Sequence, residues 1–430
     1  MNSGARTDHL TFLHLSDIHF VKDLSGESAY DLDSGIRHAI EQDAERMLEH
    51  VGKVDGILIS GDIAFAGKVQ EYETARTWLT KLANIVKCDP GYVWCVPGNH
   101  DVDQSVQKAL PLLLDTYRGL RASKKRDDDF KDRLQGTQSG GLMFQPLKNY
   151  HEHFGVIYGC PTTHSRPFWE DDLFLNDESI LRIRGINSSI ISSREDHREG
   201  GRLIVGGAQI QYMPQSNVAY MTLCHHPTSW LVDEDEVYAA MVAHSQLQLF
   251  GHKHSHRHEK IKETLRLASG AVHPVRSEKE WDPRYYFLSL RVDVEGGLRQ
   301  LVVRLFPRVW NKQSWTFTRD SGDFEGQYDT VRLLLPNWEA PSAAKKDSLA
   351  ESTPTMPSGF DRKRLINRFM TLPFHSQLSI MSKFDLFTED ERKTIPDSEL
   401  FLSCFRRAKD KNILDKVWEA IDVESRKGGE

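Results

Sequence analysis

Histidine, aspartate and asparagine residues occur together in five short motifs that lie far apart in the sequence. Each motif follows a short apolar run of the kind that forms a buried strand. The motifs are Asp17-Ile18-His19, Gly61-Asp62, Gly98-Asn99-His100-Asp101, His225-His226-Pro227 and Gly251-His252-Lys253-His254. In open α/β sheets, ligands gather at the carboxyl edge of the strands. The five motifs are therefore predicted to converge on one site.

These residue types predict a site for metal ions. Carboxylate, imidazole and amide donors form a mixed oxygen and nitrogen set, which suits Mn, Fe or Zn better than a thiolate metal or an all-oxygen calcium site. Asp17 and His19 are two residues apart, as are His252 and His254. Side chains at i and i+2 of an extended chain face the same way, so each pair can contact one ion.

Each motif alone is weak evidence for a metal site. An Asp-x-His tripeptide is usually part of an ordinary polar turn, and a lone histidine is usually a surface or core residue. A glycine precedes three of the motifs, where the backbone must turn sharply in a crowded space. Polar groups at five apolar strand ends would be costly if they were half-buried without partners. Their joint order therefore favours one shared site over five unrelated turns.

In this order the motifs resemble those of the calcineurin-like metallophosphoesterases, which are D-x-H, G-D, G-N-H-[DE], a lone H and G-H-x-H. The resemblance covers roughly residues 10–310. It implies an α/β fold, a four-layer α/β/β/α sandwich, with a dinuclear metal centre. The cofactors implied are two divalent or trivalent ions, Mn, Fe or Zn.

The resemblance also divides the ligands between the two ions. The ligands of the first ion would be Asp17, His19 and His254. The ligands of the second ion would be Asn99, His225 and His252. Asp62 would bridge both ions. His225 rather than His226 matches the ligand of the family, because it directly follows the strand, and His226 would then support the ligands or face the substrate.

Two catalytic roles follow from the same resemblance. His100 would contact the substrate and protonate the leaving oxygen, and Asp101 would orient His100. The two ions, about 3.5–4 Å apart, would clamp the attacking and leaving oxygens of the phosphate, and a hydroxide between them would be the nucleophile.

The second motif bears on the kind of phosphate ester. Phosphoprotein phosphatases of this superfamily have G-D-x-x-D-R-G, where the arginine holds a monoester. The corresponding residues here are Gly61-Asp62-Ile63-Ala64-Phe65-Ala66-Gly67. The chain therefore looks more like the bacterial phosphodiesterase branch, which includes class III cyclic-nucleotide phosphodiesterases. A nucleotide or nucleic-acid-like phosphodiester is the expected substrate, and a monoesterase or a nuclease using the same site is the alternative. The nearest candidate cations for the phosphate are Arg198, Lys253 and Arg276, although each is more often a solvated side chain.

The elements that must position these residues follow from the apolar pattern. Runs at residues 10–15, 56–59, 92–96, 180–186, 218–224 and 247–250 predict strands. Helical patterns over 72–86 and 105–120 lie between some of them, which indicates an α/β architecture. Residues 285–294 and 298–306 flank a Glu-Gly-Gly turn and predict a β-hairpin. Residues 104–165 are a helical excursion, either solvated or a lid over the site.

The C-terminal part of the chain has a different pattern. A first domain over 1–335 is followed by a Pro/Ser/Ala-rich linker over 336–358. Helical periodicity then predicts a small all-helical module over 359–424, and 425–430 is expected to be a tail. The module faintly resembles death-fold-like adaptor domains fused to bacterial immune effectors. That resemblance implies a protein partner bound through 359–424, and a signalling or defence adaptor is the second functional alternative.

Composition limits the partners and the compartment that can be expected for the chain. The 430 residues carry a formal charge of −7, from 55 Lys and Arg against 62 Asp and Glu. An acidic chain has no general attraction to nucleic acid, which is expected only as a substrate. No apolar run reaches the length of a membrane helix, so no membrane partner is expected. Five cysteines without a C-x-x-C pair, and no secretory signal, predict a reduced cytoplasmic protein.

Overall fold

Two mixed β-sheets form the body of the protein, and a group of helices follows at the C-terminal end. This computed structural model describes residues 8–21, 33–196, 203–253, 257–273, 282–320, 328–339, 359–395 and 397–427. All statements below concern those residues.

The first sheet contains the first and the last strands of the two-sheet body. Its strands are β1 Leu10–Leu15, β2 Gly56–Ile59, β3 Val93–Cys95, β10 Arg284–Glu295, β11 Leu298–Asn311, β12 Thr316–Arg319 and β13 Asp329–Leu334. Their order is β12-β11-β10-β1-β2-β3, and β13 also pairs with β11. β1, β2 and β3 are parallel, so their carboxyl ends meet at one edge of the sheet. β3 is the outermost strand on that side.

The second sheet is built from the middle of the chain. Its strands are β4 Phe168–Phe174, β5 Ile180–Ile186, β6 Val218–Cys224, β7 Ser245–Phe250, β8 Arg257–Ile261 and β9 Thr264–Ala268. Their order is β4-β5-β6-β7-β9-β8, and β5, β6, β7 and β9 are parallel. The carboxyl ends of β6 and β7 therefore lie at the same edge of this sheet.

The two sheets share one apolar core, which contains Phe12 of β1, Ile183 of β5 and Leu249 of β7. Helices α1 Ser34–Val51 and α2 Val69–Ile85 pack against the first sheet and contribute Ile40 and Leu79 to that core. A second core lies on the other face of the second sheet, beneath further helices. Helix, sheet, sheet and helix thus form four layers, and the predicted α/β/β/α sandwich is confirmed.

The helical excursion over 104–165 is one of these layers. Its helices are α3 Gln104–Ala109, α4 Pro111–Ala122, α5 Arg126–Gln135, α6 Thr137–Phe144 and α7 Lys148–Tyr150, which continues into a π-helical turn over His151–Gly155. Together with α8 Glu234–His244, they bury Leu113 and Phe130 against Ile186 and Phe250 of the second sheet. One side of the excursion is therefore buried, because its apolar side chains supply the second core, and whether it acts as a lid stays a prediction.

Two local predictions can be compared with the structure. The single helix predicted over 105–120 is two helices, α3 and α4, because Pro111 cannot donate a backbone hydrogen bond and begins a new helix instead. The predicted hairpin is confirmed as β10 and β11. Gly296 and Gly297 have φ of 60° and 79°, the positive values that a tight two-residue hairpin turn requires.

The C-terminal module consists of five helices around a core of its own. They are α9 Gly359–Met370, α10 Phe374–Lys383, α11 Glu389–Thr394, α12 Asp397–Asp410 and α13 Leu414–Lys427. Phe369, Phe401 and Phe405 meet edge to face at the centre of this core. Residues 340–358 of the predicted linker and 428–430 of the predicted tail lie outside the described residues. Residues 425–427 are helical rather than part of a tail.

Two expected absences can be examined directly. Among the described helices, none has both the length and the apolar character that crossing a membrane requires. All five cysteines are described, and each is a free, buried thiol. The prediction of a reduced cytoplasmic protein stays a prediction.

Candidate metal centre

The carboxyl ends of strands from both sheets meet between the sheets, as the motifs predict. Asp17 after β1, Asp62 after β2 and His225 after β6 each offer a ligand atom, and these three atoms lie within 4.8 Å of one another. The Nε2 atom of His225 is 3.3 Å from a carboxylate oxygen of Asp62 and 3.1 Å from the amide oxygen of Asn99. Residues from four separate motifs therefore share one small volume.

Asp62 occupies the middle of this volume. Its Oδ2 atom lies 3.9 Å from Nε2 of His19 and 3.3 Å from Nε2 of His225. Its Oδ1 atom accepts a hydrogen bond of 2.8 Å from the backbone N–H of His100. Ligand atoms of His19, Asp62 and His100 form a second group within 4.8 Å. Asp62 thus has one potential ligand on each side, which is the placement that a bridging carboxylate needs.

Three histidines surround the amide oxygen of Asn99. Nε2 of His225 is 3.1 Å from that oxygen, Nε2 of His226 is 3.2 Å away and Nδ1 of His252 is 3.0 Å away. The three imidazoles also offer ligand nitrogens within 4.8 Å of one another. The sequence separates His225 from His226 by strand position alone, whereas the structure places both rings equally close to Asn99.

Hydrogen bonds behind the histidines fix the direction in which the rings point. Nδ1 of His225 lies 2.8 Å from the backbone carbonyl of Ser60, and a carbonyl can only accept. The Nδ1 proton therefore points at Ser60, and Nε2 points at the centre. Nδ1 of His226 has a similar partner at 2.8 Å, the hydroxyl of Ser188. On the opposite side, the Ser16 hydroxyl donates to Asp17 over 2.5 Å.

The backbone at the site adopts a conformation that side chains other than glycine rarely take. Asp17, His19 and Asp62 each have φ of 52°, and His252 has φ of 64°. Left-handed conformations of this kind cost ~1–3 kcal/mol each and persist only where the surroundings enforce them. Here the backbone N–H groups of Asp17 and His19 bond to the carbonyls of Gly61 and Asp62, which ties the first two motifs together.

Glycines leave room for the converging side chains. A Cβ atom at Gly98 would lie 2.1 Å from Oδ1 of Asp62, and one at Gly251 would lie 2.2 Å from the Ser16 hydroxyl. Contacts this short are sterically forbidden, so any larger residue would displace Asp62 or Ser16. The predicted need for glycine beside the ligand motifs follows from these close approaches.

The electrostatics favour a bound cation. Asp17 and Asp62 are buried, and burial alone would raise the pKa of Asp62, but the His225 imidazolium holds it well below its usual range. Burial would likewise lower the pKa of His225, but the Asp62 carboxylate raises it to about 9. Burial, and then the Asp62 charge, raise the pKa of Asp101 to about 7. Two buried carboxylates beside imidazole and amide donors are a chemical fit for a divalent ion, which on binding would take the place of the His225 proton.

Asp101 has a different task from the one predicted. Its buried carboxylate accepts hydrogen bonds from the backbone N–H groups of Gly98, Ile63 and Ala64, at 2.9, 3.2 and 2.9 Å. It also accepts one from the hydroxyl of Tyr72 at 3.1 Å. Asp101 therefore fastens the loop after β2 to the loop after β3.

The group that orients His100 is a backbone carbonyl. Nδ1 of His100 lies 2.8 Å from the carbonyl oxygen of Phe65, and its ring centre lies 4.5 Å from that of His19. The prediction that Asp101 orients His100 is corrected in this respect, because the oxygens of Asp101 are engaged by four other donors. The motif pattern cannot reveal this, since any residue at 65 would supply the same carbonyl.

Two aromatic side chains border the centre. The Phe65 ring is 52% exposed and its centre lies 5.4 Å from the His100 ring. The Trp230 ring packs edge to face on His252 with ring centres 4.1 Å apart. Trp230 is a site residue that sequence reasoning missed, and its position three residues after Pro227 of the histidine motif is the only signal for it.

The structure does not place every predicted site residue at the metal centre. His254, together with the candidate cations Arg198 and Arg276, lies outside the described residues, so the ligand set of the first ion stays a prediction. Lys253 is exposed, and its backbone N–H donates to the carbonyl of Gly251.

Comparisons with known proteins can now be set beside this geometry. A family model described as calcineurin-like phosphoesterase matches residues 10–256, and one described as GTPase-associated adaptor domain matches residues 361–423. No curated protein matches the chain.

Three of the solved structures found to be similar show the range of matches. A predicted phosphoesterase from Streptococcus pneumoniae is 12% identical, with 76% of this chain and 99% of the other covered and a TM-score of 0.29. Vps29 from Chaetomium thermophilum is 11% identical, with 76% and 100% covered and a TM-score of 0.31. A purple acid phosphatase from yellow lupin is 12% identical, with 83% and 58% covered and a TM-score of 0.39.

Proposed function

Because the chain belongs to the calcineurin-like phosphoesterase family, whose members are phosphoric ester hydrolases, we propose that it is a metal-dependent phosphodiesterase. The observation that carries the proposal is the meeting of Asp62, Asn99 and His225 around one volume, with His100 beside it. The proposed substrate is a nucleotide or nucleic-acid-like phosphodiester.

The residues divide into two proposed metal sites that share Asp62. Asp17, His19 and His254 would hold one ion, and Asn99, His225 and His252 would hold the other. When bound, two such ions supply positive charge that neutralises the phosphate oxygens and lowers the pKa of a water molecule. The strained backbone and the hydrogen bonds behind the ligands keep the donors in place before any ion arrives, so little reorganisation is needed on binding.

His100 is the proposed general acid. The Phe65 carbonyl accepts from Nδ1 of His100, which leaves Nε2 as the nitrogen available to a substrate. Both ring nitrogens of an imidazolium are donors, so Nε2 of the protonated ring carries a hydrogen. Nε2–H can then give its proton to the departing oxygen, a contribution worth ~10²–10⁴-fold in rate for a well-placed acid.

The surroundings of His100 support a diester rather than a monoester. A monoester dianion calls for extra cationic partners, commonly arginine. The chain instead has Phe65 and Ala66 where protein phosphatases carry Asp-Arg, and the exposed Phe65 ring stands beside His100. An aromatic ring at this place is suited to contact the organic group of a diester, for example by stacking on a nucleobase.

The test compares a diester with the matching monoester. Purified full chain loaded with Mn²⁺ is expected to hydrolyse bis-p-nitrophenyl phosphate with a higher kcat/KM than p-nitrophenyl phosphate. The reverse preference would identify a monoesterase, and faster cleavage of single-stranded DNA than of nucleotide diesters would identify a nuclease. Asp62→Asn protein purified in the same way controls for contaminating phosphatases.

A substitution at Phe65 sharpens this test. Phe65→Arg adds a cation one position before the arginine of the protein phosphatase pattern, at a side chain that is already half-exposed. The ratio of diester to monoester kcat/KM is expected to fall, because the guanidinium favours the dianion. An unchanged ratio would remove Phe65 from substrate selection.

A protein partner for the C-terminal module is the second proposal. It rests on the adaptor-domain model that matches residues 361–423, and the description of that model points to a GTPase as the kind of partner. Phe374 and Val423 are exposed apolar side chains of the module and are the proposed contact residues. Co-expression with a GTPase, followed by co-purification, is expected to succeed with the wild type and to fail with Phe374→Glu/Val423→Glu. Equal recovery of the GTPase would argue against this surface.

A further inference from the structure

Lys363 lies on α9 of the C-terminal module, yet its side chain is wholly buried. A lysine is almost never fully buried unless its ammonium group has partners, because removing that charge from water is costly. The partners of Lys363 are residues of the catalytic domain. The ammonium group donates to the carbonyls of Val93 and Tyr158 over 2.8 and 2.6 Å, and lies 3.1 Å from the thiol sulfur of Cys160.

Aromatic rings and a carboxylate complete this environment. The ammonium group lies 4.8 Å from the ring centre of Trp94 and 5.6 Å from that of Trp169, both within the range of cation–π attraction. A carboxylate oxygen of Asp171 is 3.9 Å away. Lys363 thus sits in a complete polar and aromatic cage, and every wall of that cage belongs to the sandwich rather than to the module.

Neighbouring residues of α9 extend the contact. Arg362 donates to Asp171 over 3.1 Å, and the amide of Asn367 donates to the carbonyl of Ile157 over 3.3 Å. Lys363 and Asn367 are one helical turn apart and so lie on the same side of α9. Phe369, by contrast, packs into the core of the module. α9 therefore joins the two parts of the molecule through a continuous contact.

The location of the cage connects it to the proposed active site. β3 is the outermost strand of the first sheet on its side, so its outward backbone groups have no neighbouring strand. Side chains satisfy them instead: Lys363 bonds the carbonyl of Val93, and the indole N–H of Trp169 bonds the carbonyl of Cys95 over 3.0 Å. The N–H of Cys95 donates to the sulfur of Cys160 over 3.4 Å.

Four residues after Cys95 the chain reaches Asn99, and His100 follows. We propose that Lys363 is a positioning residue for this loop: by bonding the open edge of β3 from the C-terminal module, it holds Asn99 and His100 in register with Asp62. The inference rests on the proposed function for its catalytic consequence. Its structural part, the dependence of β3 on a docked module, stands on the contacts alone.

The main test is Lys363→Met in the full chain, which shortens the side chain by one heavy atom and removes its charge and donors. Hydrogen exchange is expected to become faster in β3 and in residues 157–160, while α12 keeps its protection. Mn²⁺ affinity and kcat are expected to fall by about 10-fold, the lower end of the range for groups bonded directly to a metal ligand, because Lys363 acts through the backbone of β3, with KM nearly unchanged. Arg364→Met is the matched control for the loss of a charge at the same interface, because Arg364 forms only a partly exposed pair with Asp89, and it is expected to change β3 exchange and kcat much less.

A second variant keeps the inference testable if the Lys363→Met protein does not fold. Trp169→Phe removes the N–H that bonds the carbonyl of Cys95, on the same edge of β3, together with one ring of the buried indole. It is expected to lower kcat and Mn²⁺ affinity in the same direction and to leave KM nearly unchanged. The inference is overturned if both the exchange of β3 and the Mn²⁺ affinity stay at wild-type values in the folded variants. A wild type without hydrolase activity would refute the proposed function, and the exchange and Mn²⁺ measurements would still decide this inference.

Discussion

Two buried polar clusters lie beside β3, and they are satisfied in opposite ways. Beyond its carboxyl end, Asp17 and Asp62 face imidazole and amide groups on a backbone with several left-handed residues. Along its open edge, Lys363 lies among carbonyls and indole rings. The first cluster is an arrangement of donors for cations that must come from solution, whereas the second receives its cation from the chain itself.

This difference has a thermodynamic consequence. A ligand that binds only the folded state stabilises it in proportion to the logarithm of its concentration. Divalent ions are therefore expected to raise the melting temperature through the first cluster, and the second cluster should be indifferent to them. Each prediction below tests one side of this contrast, beginning with the largest expected effect.

Replacing Asp62 should remove the first cluster's capacity for ions. Asp62→Asn keeps the shape of the side chain but removes the shared carboxylate, so both ions lose a ligand. The loss of activity should exceed the ~10–100-fold that changes behind the ligands produce. Metal analysis and thermal unfolding with and without Mn²⁺ provide the measurement, and the Mn²⁺-induced rise in melting temperature should disappear.

The matched control is another buried carboxylate. Asp43 is held by Arg308 and by the hydroxyl of Tyr285, away from the metal centre. Asp43→Asn should lower the melting temperature without metal and leave the Mn²⁺-induced rise intact. If Asp62→Asn bound as much metal as the wild type, Asp62 would not be a bridging ligand.

His100 separates catalysis from metal binding within the same cluster. His100→Ala should keep both ions, because no proposed ligand is removed, and should lose ~10²–10⁴-fold in kcat as expected for a general acid. Metal content and steady-state rates of the same preparation give the answer. A wild-type rate would exclude His100 from proton transfer, and loss of metal would instead make it a ligand.

A substitution at Gly98 tests whether the first cluster needs the free space beside Asp62, and it changes no ligand. Gly98→Ala would place a methyl group 2.1 Å from Oδ1 of Asp62, so the carboxylate has to move. We expect a loss of ~1–3 kcal/mol in stability, typical of overpacking, together with weaker Mn²⁺ binding. Gly141→Ala on α6 is the control, because among the described residues nothing beyond its own helical turn lies within 4 Å of the new methyl group there. Equal stability of the two variants would show that the site tolerates the movement.

The sequence predicts the first cluster well and the second not at all, and the reason is physical. Asp17, Asp62 and Asn99 each follow a strand whose apolar run can be recognised locally, and parallel strands bring their ends to one edge. The cage of Lys363 depends on where a helix of another module docks. No local pattern distinguishes Lys363 from Arg362 or from any solvated lysine.

The same limit explains the smaller errors. Asp101 was expected to orient its neighbour His100, but three backbone N–H groups from two loops compete for its oxygens, and such competition is visible only after folding. In the excursion over 104–165, the many charged residues hide the buried side of the helices from a reading of the sequence. Its scattered apolar residues, such as Leu113, become a core only when the second sheet is present.

The last prediction concerns an ion pair at the surface of the module. Its removal should change the melting temperature less than any variant above. Arg407 hydrogen-bonds the carboxylate of Glu391, with one contact of 2.9 Å, and with the Thr388 N–H it lowers the pKa of Glu391 to about 2. Because the folded pKa lies below the ordinary value, the contribution is complete above about pH 4.5 and is lost as the pH falls through 2. The deficit in melting temperature of Glu391→Gln should therefore be only about one or two degrees at pH 6 and should shrink between pH 5 and pH 3. If the deficit does not change with pH, Glu391→Gln lowers the melting temperature through altered packing or helix capping and not through the loss of charge.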